Sequence, residues 1–140
     1  MQDRPTYHEL LEAVQQFIEA DVVPSLEGTK KFHARVAANV LAIVRRELQS
    51  EDVQLAEEWK RLNVLLQKEQ PAPLERAARR DAVRQGTDEL CQRIRKGDAD
   101  AGAWRTLVLR HVRQTLVDKL AVANPKYLGA EIAQAIGLTK

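Results

Sequence analysis

The stretch Lys31-Phe32-His33-Ala34-Arg35-Val36-Ala37-Ala38-Asn39-Val40-Leu41-Ala42-Ile43-Val44 decides the fold class of this chain. It is apolar over most of a helical circumference and broken only by His33, Arg35 and Asn39. At about 100° per residue, Arg35, Asn39 and Arg46 fall within roughly 40° of one another. His33 points nearly opposite them. The remaining Ala, Val, Leu and Ile surface predicts a helix enclosed by others. The expected fold is therefore an all-α bundle of about five helices around a central apolar helix, residues 30–49. Val40 and Val44, opposite the Arg35 stripe, are expected among its most buried residues.

The other helices follow from their start and stop signals. Thr6 with Glu9 three residues later is a capping box, and Tyr7, Leu10, Leu11, Val14, Phe17 and Ile18 then keep helical spacing. Pro24 should end or kink this first helix near Val22–Val23. Ser50 followed by Glu51 and Asp52 reads as a fresh N-cap with acids in the first turn. A third helix, about 51–69, carries Leu55, Trp59, Leu62, Leu65 and Leu66 along one face and is stopped by Pro71 and Pro73. A fourth runs from about Leu74 to Lys96, with a break plausible at Gly86 because glycine costs about 1 kcal/mol relative to alanine in a helix. Gly97, just past Arg95 and Lys96, is a stop signal. A fifth helix, capped by Asp98 or Asp100, carries Trp104, Leu107, Val108, Val112, Leu116 and Leu120 and closes at Asn124-Pro125. Phe17, Phe32, Trp59 and Trp104 are the expected large anchors of the core. Residues 1–128 are expected to form the bundle domain, and 129–140 a C-terminal extension with a short helix over 130–136.

Composition narrows the function classes. The chain has 140 residues, 44% hydrophobic and 30% charged, which is globular and not disordered. No apolar run approaches the roughly 18 residues of a membrane span, and the N-terminus lacks a signal-peptide core, so a cytoplasmic protein is expected. With Cys91 as the one cysteine, neither an internal disulfide nor a cysteine metal site can form; Cys91 reads as core filler. Net charge is only +2, but residues 1–27 hold six acids and one base while residues 28–48 hold five bases and one acid.

The phrase Phe32-His33-Ala34-Arg35-Val36-Ala37-Ala38-Asn39 also carries a resemblance. It stands with Arg4-Pro5-Thr6, Glu9-Leu10-Leu11-Glu12-Ala13-Val14 and Asp21-Val22-Val23-Pro24-Ser25-Leu26-Glu27-Gly28. Later come Glu89-Leu90-Cys91, Ile94-Arg95, Gly97 and Lys119-Leu120 through Asn124-Pro125-Lys126-Tyr127-Leu128. Together these resemble a bacterial helical domain family of unknown function, over nearly the whole chain to residue 128. The resemblance implies a small protein encoded beside phosphotransferases similar to aminoglycoside kinases, often near acyl-CoA dehydrogenase-like enzymes. It implies no activity and no catalytic residues. Where that family's pattern has Gly-Arg after Leu-Glu, this chain has Gly28-Thr29-Lys30, so any role of that arginine passes to Lys30 or Lys31, or is absent.

The sharpest site expectation is an anion-binding patch of Lys30, Lys31, His33, Arg35 and Asn39 at the start of the apolar helix, where unsatisfied backbone N–H groups favour negative charge. The plainer reading leaves the lysines solvated and pairs Arg35 with an acid of the segment 21–27. His33 has a pKa suited to a base, but no nucleophile or second acid accompanies it, and a hydrogen-bonded core histidine is the plainer reading. Arg76, Arg79, Arg80 and Arg84 follow helical spacing, yet interleaved acids and near-neutral charge speak against nucleic acid. The expected function is a non-catalytic accessory or interaction module without a cofactor or metal. Its expected partner is a second copy of the chain or another protein, the phosphotransferase-like one by resemblance. That surface is expected on the third and fourth helices unless the fifth covers it through Trp104 and Leu107. The alternative is an enzyme or small-anion-binding protein that uses the Lys30/His33/Arg35/Asn39 cluster.

Overall fold

The computed structural model describes residues 4–129, which are mostly helical, with no strand among them. Helix α1 is Tyr7–Phe17, α2 Gly28–Leu65, α3 Arg76–Arg95 and α4 Gly102–Ala123, followed by a 3-10 turn at Pro125–Leu128. The chain is all-α. The two helices expected on either side of Ser50 are one helix. Nothing between Thr29 and Gln70 is glycine or proline, so no backbone reason exists to stop at Ser50, and a residue suited to capping is tolerated inside. The chain nonetheless divides into two compact units, residues 1–49 and 50–140. The short helix expected over 130–136 lies outside the described residues.

In the first unit, Thr6 caps α1 as its sequence predicts. The Thr6 N–H donates to the Glu9 carboxylate at 2.7 Å, and the Glu9 N–H donates to Thr6 Oγ1 at 3.3 Å. Pro24 is accommodated without ending the coil at once. A π turn over Ile18–Val22 widens the helix ahead of it, and a last helical turn, Val23–Ser25, follows. Such a turn relieves the clash between a proline ring and the carbonyl four residues back. The Ser25 hydroxyl then donates to the Val22 carbonyl at 2.8 Å, and Gly28 takes a positive φ of 54° to open α2.

The contact seam of α1 is His8, Leu11, Gln15, Ile18 and Val22, all half-buried. The seam of α2 in this unit is Lys31, Ala34, Ala38, Leu41, Arg45 and Leu48, with Ala38 buried. Both repeat at alternating three- and four-residue steps, the spacing that keeps one stripe facing a neighbouring helix. Arg45 ties the seams together, donating to Gln15 Oε1 at 2.9 Å and pairing with Glu12 at 2.9 Å. Enclosure of this helix is the expectation that fails. Phe32 is 63% exposed, Val40 50% and Val44 40%, and Phe17 is exposed as well. One neighbour covers one stripe, and a helix apolar all round is left with bare apolar surface.

The second unit packs the C-terminal part of α2 with α3 and α4 around Leu62, Leu65, Leu66, Val83, Leu90 and Val108, with Trp59 and Trp104 against them. α3 runs parallel to α2: Asp52 meets Arg76, Leu62 lies by Gly86, and Lys68 pairs with Glu89. The segment 66–75, with its two prolines, returns the chain along the bundle, and ten residues can span about 33 Å. α3 is unbroken at Gly86, whose missing side chain admits Leu62. A β-carbon there would lie 3.3 Å from Leu62 Cδ1. At the C-terminus of α3, Gly97 (φ 90°) donates to the Ile94 carbonyl and the Asp98 N–H to the Arg93 carbonyl. That is the Schellman arrangement its sequence predicts. The start of α4 differs from expectation: Ala101 stands at the N-cap with no side-chain cap, in place of Asp98 or Asp100.

α2 also ends four residues before its expected limit, in a second Schellman turn. The Lys68 N–H reaches the Asn63 carbonyl at 2.9 Å and the Gln67 N–H the Val64 carbonyl at 3.2 Å, with Gln67 at φ 55°. A side chain in that conformation costs roughly 1–2 kcal/mol, so Gln67→Gly should raise stability by about 0.5–1 kcal/mol after glycine's entropic cost. An unchanged or lowered urea midpoint contradicts this. In the same assay, Gly86→Ala should be near neutral. Gly86→Leu should lose about 1–3 kcal/mol by overpacking Leu62 and Leu66.

Candidate functional site

The residues of the expected anion patch are sorted by the seam of α2. Arg35 and Asn39 follow the seam residues Ala34 and Ala38 by one. Lys30 and His33 precede Lys31 and Ala34 by one, on the opposite flank, while Lys31 lies in the seam itself. Arg35 and Asn39 share a shallow hollow of about 270 Å3 with Glu19, Val23, Ala38 and Ala42. Glu19 in this wall accepts a hydrogen bond from Gln15 Nε2 at 3.0 Å. Arg35 makes no ion pair with an acid of 21–27; among the described residues Arg45 is the arginine that joins α1 to α2. Arg35 is on a flank, whereas Arg45 falls in the contact seam. His33 is exposed, its ring 5.9 Å from that of Phe32 at 55°, so it is no core histidine.

Apart from charged or polar residues such as Lys30 and His33, the opposite flank is largely apolar. Tyr7, Leu10, Val14 and Phe17 each precede a seam residue of α1, and Val40 and Val44 precede Leu41 and Arg45 of α2. In an antiparallel pair, the preceding flanks of the two seams lie on one side and the following flanks on the other. The hollow bears this out, since Glu19, Val23, Arg35, Asn39 and Ala42 all follow their seams. The hairpin thus has a polar side and a more apolar one, and Phe32 and Val36 lie on the outer face of α2, Phe32 toward the flank of Arg35 and Asn39. All eight of these apolar residues are at least 40% exposed.

In the second unit the arginines of α3 are largely engaged. Arg76 makes a two-pronged pair with Asp52 at 2.7 and 2.6 Å, and Arg80 pairs with Glu51. Arg79 donates to the Pro73 and Leu74 carbonyls, and Arg84 pairs with Asp81 at 3.0 Å. Glu51 and Asp52 therefore serve the start of α3 and do not begin a helix of their own. Of the two readings for the third and fourth expected helices, a face left open or one covered by the fifth, the structure shows Trp104 of α4 packed there. Its Nε1 donates to the Leu65 carbonyl at 3.0 Å and the Arg93 guanidinium lies 4.1 Å over its ring, while Leu107 stays 41% exposed. Among the described residues no group of three metal-ligating side chains occurs. No helix among them is long and apolar enough to cross a membrane.

The histidine that the fold buries is His111, 5% exposed on α4, with no hydrogen-bond partner for Nδ1. Beside it, Arg61 pairs with Asp118 at 2.9 Å, and Asp118 also accepts from Gln114 Nε2. Burial, and then the Arg61 guanidinium, hold the His111 imidazole below its ordinary pKa against a weaker upward pull from Asp118. Its position among Val108, Val112 and Thr115 was the only hint in the sequence. A histidine buried neutral contributes fully above the unfolded-chain pKa of about 6.5. That contribution is lost as pH falls through the lower folded-state value, because the unfolded chain takes the proton first. His111→Leu should abolish this component. Between about pH 7.5 and about pH 5.5 the wild type should lose stability relative to the variant. Urea midpoints with a constant separation across that range would refute it.

No curated protein and no solved structure matches the chain. A family profile does match, over residues 24–127, which span α2, α3 and α4 and most of the 3-10 turn. The chain belongs to that family, described as a domain of unknown function (DUF6285).

Proposed function

We propose that this protein is a non-catalytic interaction module whose binding face is the apolar side of the α1/α2 hairpin. One observation carries the reading. Tyr7, Leu10, Val14 and Phe17 on α1, with Val40 and Val44 on α2, form an exposed apolar strip on one side of a two-helix layer. Large exposed apolar patches mark contact surfaces in folded proteins, and a helical layer is ordinarily covered by a second one. The partner that the resemblance implies is a kinase-like phosphotransferase encoded nearby in a bacterium. The alternative, an enzyme or anion binder at Lys30, Lys31, His33, Arg35 and Asn39, draws less support. Only Arg35 and Asn39 line the hollow, and a carboxylate-bearing residue, Glu19, shares it.

Val40 is half exposed, so Val40→Asp should fold with a melting temperature close to that of the wild type, as surface substitutions usually do. The purified wild-type chain should form a complex with the neighbouring phosphotransferase in size-exclusion chromatography, and Val40→Asp should abolish it. A complex indifferent to Val40→Asp would place the contact elsewhere. No complex at all would remove the phosphotransferase as partner.

A further inference from the structure

α2 and α4 of the second unit run antiparallel, with Arg61 opposite His111, Glu58 near Thr115 and Leu65 near Trp104. At the level of Arg61 and His111 their seam opens into a groove of about 270 Å3. Its apolar wall is Val64, Leu65 and Leu107; Val64 is 73% exposed and Leu107 41%. Its polar residues are Lys60, Arg61, Arg110 and His111, and no acidic side chain lines it. We propose that this groove binds a small amphipathic carboxylate, its head on the Arg110 guanidinium beside His111 and its chain on Val64, Leu65 and Leu107.

Three considerations carry the assignment. The first is charge. Lys60 is paired with Glu57 at 2.7 Å and Arg61 with Asp118 at 2.9 Å, while Arg110 makes no ion pair among the described residues. The groove therefore has one uncompensated cation, which matches a monoanion, and a guanidinium presents the planar fork that a carboxylate fits in two-point fashion. The second is apolar surface: Val64 and Leu107 are left in water at the mouth of a concavity, where a hydrocarbon chain removes them from it. The third is the buried imidazole. His111 is nearly closed off, and an anion at the groove adds negative charge beside Arg110, the one groove cation without an acidic partner among the described residues. At roughly 30 Å3 for each water-sized group, the groove holds about nine non-hydrogen atoms, the size of a six- or seven-carbon carboxylate. The groove lies within the second unit, so this assignment stands apart from the proposed partner face.

The test is calorimetric titration of the full chain with hexanoate, hexanol, acetate and hexyl phosphate, with the His111 imidazole followed by NMR. Hexanoate should bind and shift the His111 resonances. Hexanol, which lacks the charge, and acetate, which lacks the chain, should each bind at least about tenfold more weakly. Arg110→Gln and Leu107→Asp, both at exposed positions, should melt normally and weaken hexanoate about tenfold or more. Hexanol equal to hexanoate, binding unchanged in both variants, or no binding at millimolar concentration overturns the proposal. Hexyl phosphate binding more tightly than hexanoate overturns the single-cation reading of the head site. Val40→Asp should leave hexanoate binding intact.

Discussion

Forty-two consecutive residues, Thr29 to Gln70, contain neither glycine nor proline, and the helix that this permits supplies the packing seam within each unit. In the first unit α2 offers α1 a seam of alanines and leucines with Lys31 and Arg45 among them, Ala38 at its most covered point. In the second it offers α3 and α4 the leucines 62, 65 and 66. Each partner helix is then fixed by what α2 presents at that level. Gly86 brings α3 close because Leu62 needs the space. Trp104 on α4 hydrogen-bonds to the Leu65 carbonyl as α2 approaches its end.

Polar pairing refines this scheme without driving it. Exposed ion pairs contribute about 0–1 kcal/mol each, so the largely exposed Arg76–Asp52 pair sets register more than stability. Glu51 is different, its side chain only 12% exposed between Arg76 and Arg80. Removing either partner of a partly buried group costs more than the pair contributes, since the other charge stays desolvated. The parallel course of α2 and α3 depends on such local matching, because the connection between them is long and by itself permits either direction.

What the sequence discloses is local. The Thr6/Glu9 box and the Gly97 stop are signals within a few residues of their effect, and both are realised in the structure. The tryptophans, too, take their expected places against the core. The failures are non-local. Ser50-Glu51-Asp52 has the composition of a helix start, but its acids answer arginines more than twenty positions away. The end of α2 uses Gln67 in a conformation that sequence assigns to glycine. Periodicity shows which faces of residues 30–49 are apolar, but not how many neighbours arrive to cover them, and Val40 and Val44 lie on a face that stays exposed. The candidate site residues divide in the same way. Arg35 and Asn39 stay together because one helical stripe suffices, whereas Arg110 and His111 meet Lys60 and Arg61 only through the pairing of two distant segments.

His111 shows why such a site is visible physically even where no motif marks it. An unsatisfied buried polar atom costs about 1–3 kcal/mol, and an aliphatic side chain at that position would avoid the cost while filling the same space. The fold keeps the imidazole all the same, beside a guanidinium that disfavours its protonation and a groove whose remaining charge is positive. Bare apolar area on the α1/α2 hairpin poses the same question in another form, since covering it would stabilise the chain in isolation. At His111 the structure forgoes stability that a simple substitution would supply, and on the hairpin it leaves apolar area in water. Sites retained against stability are where function is to be sought.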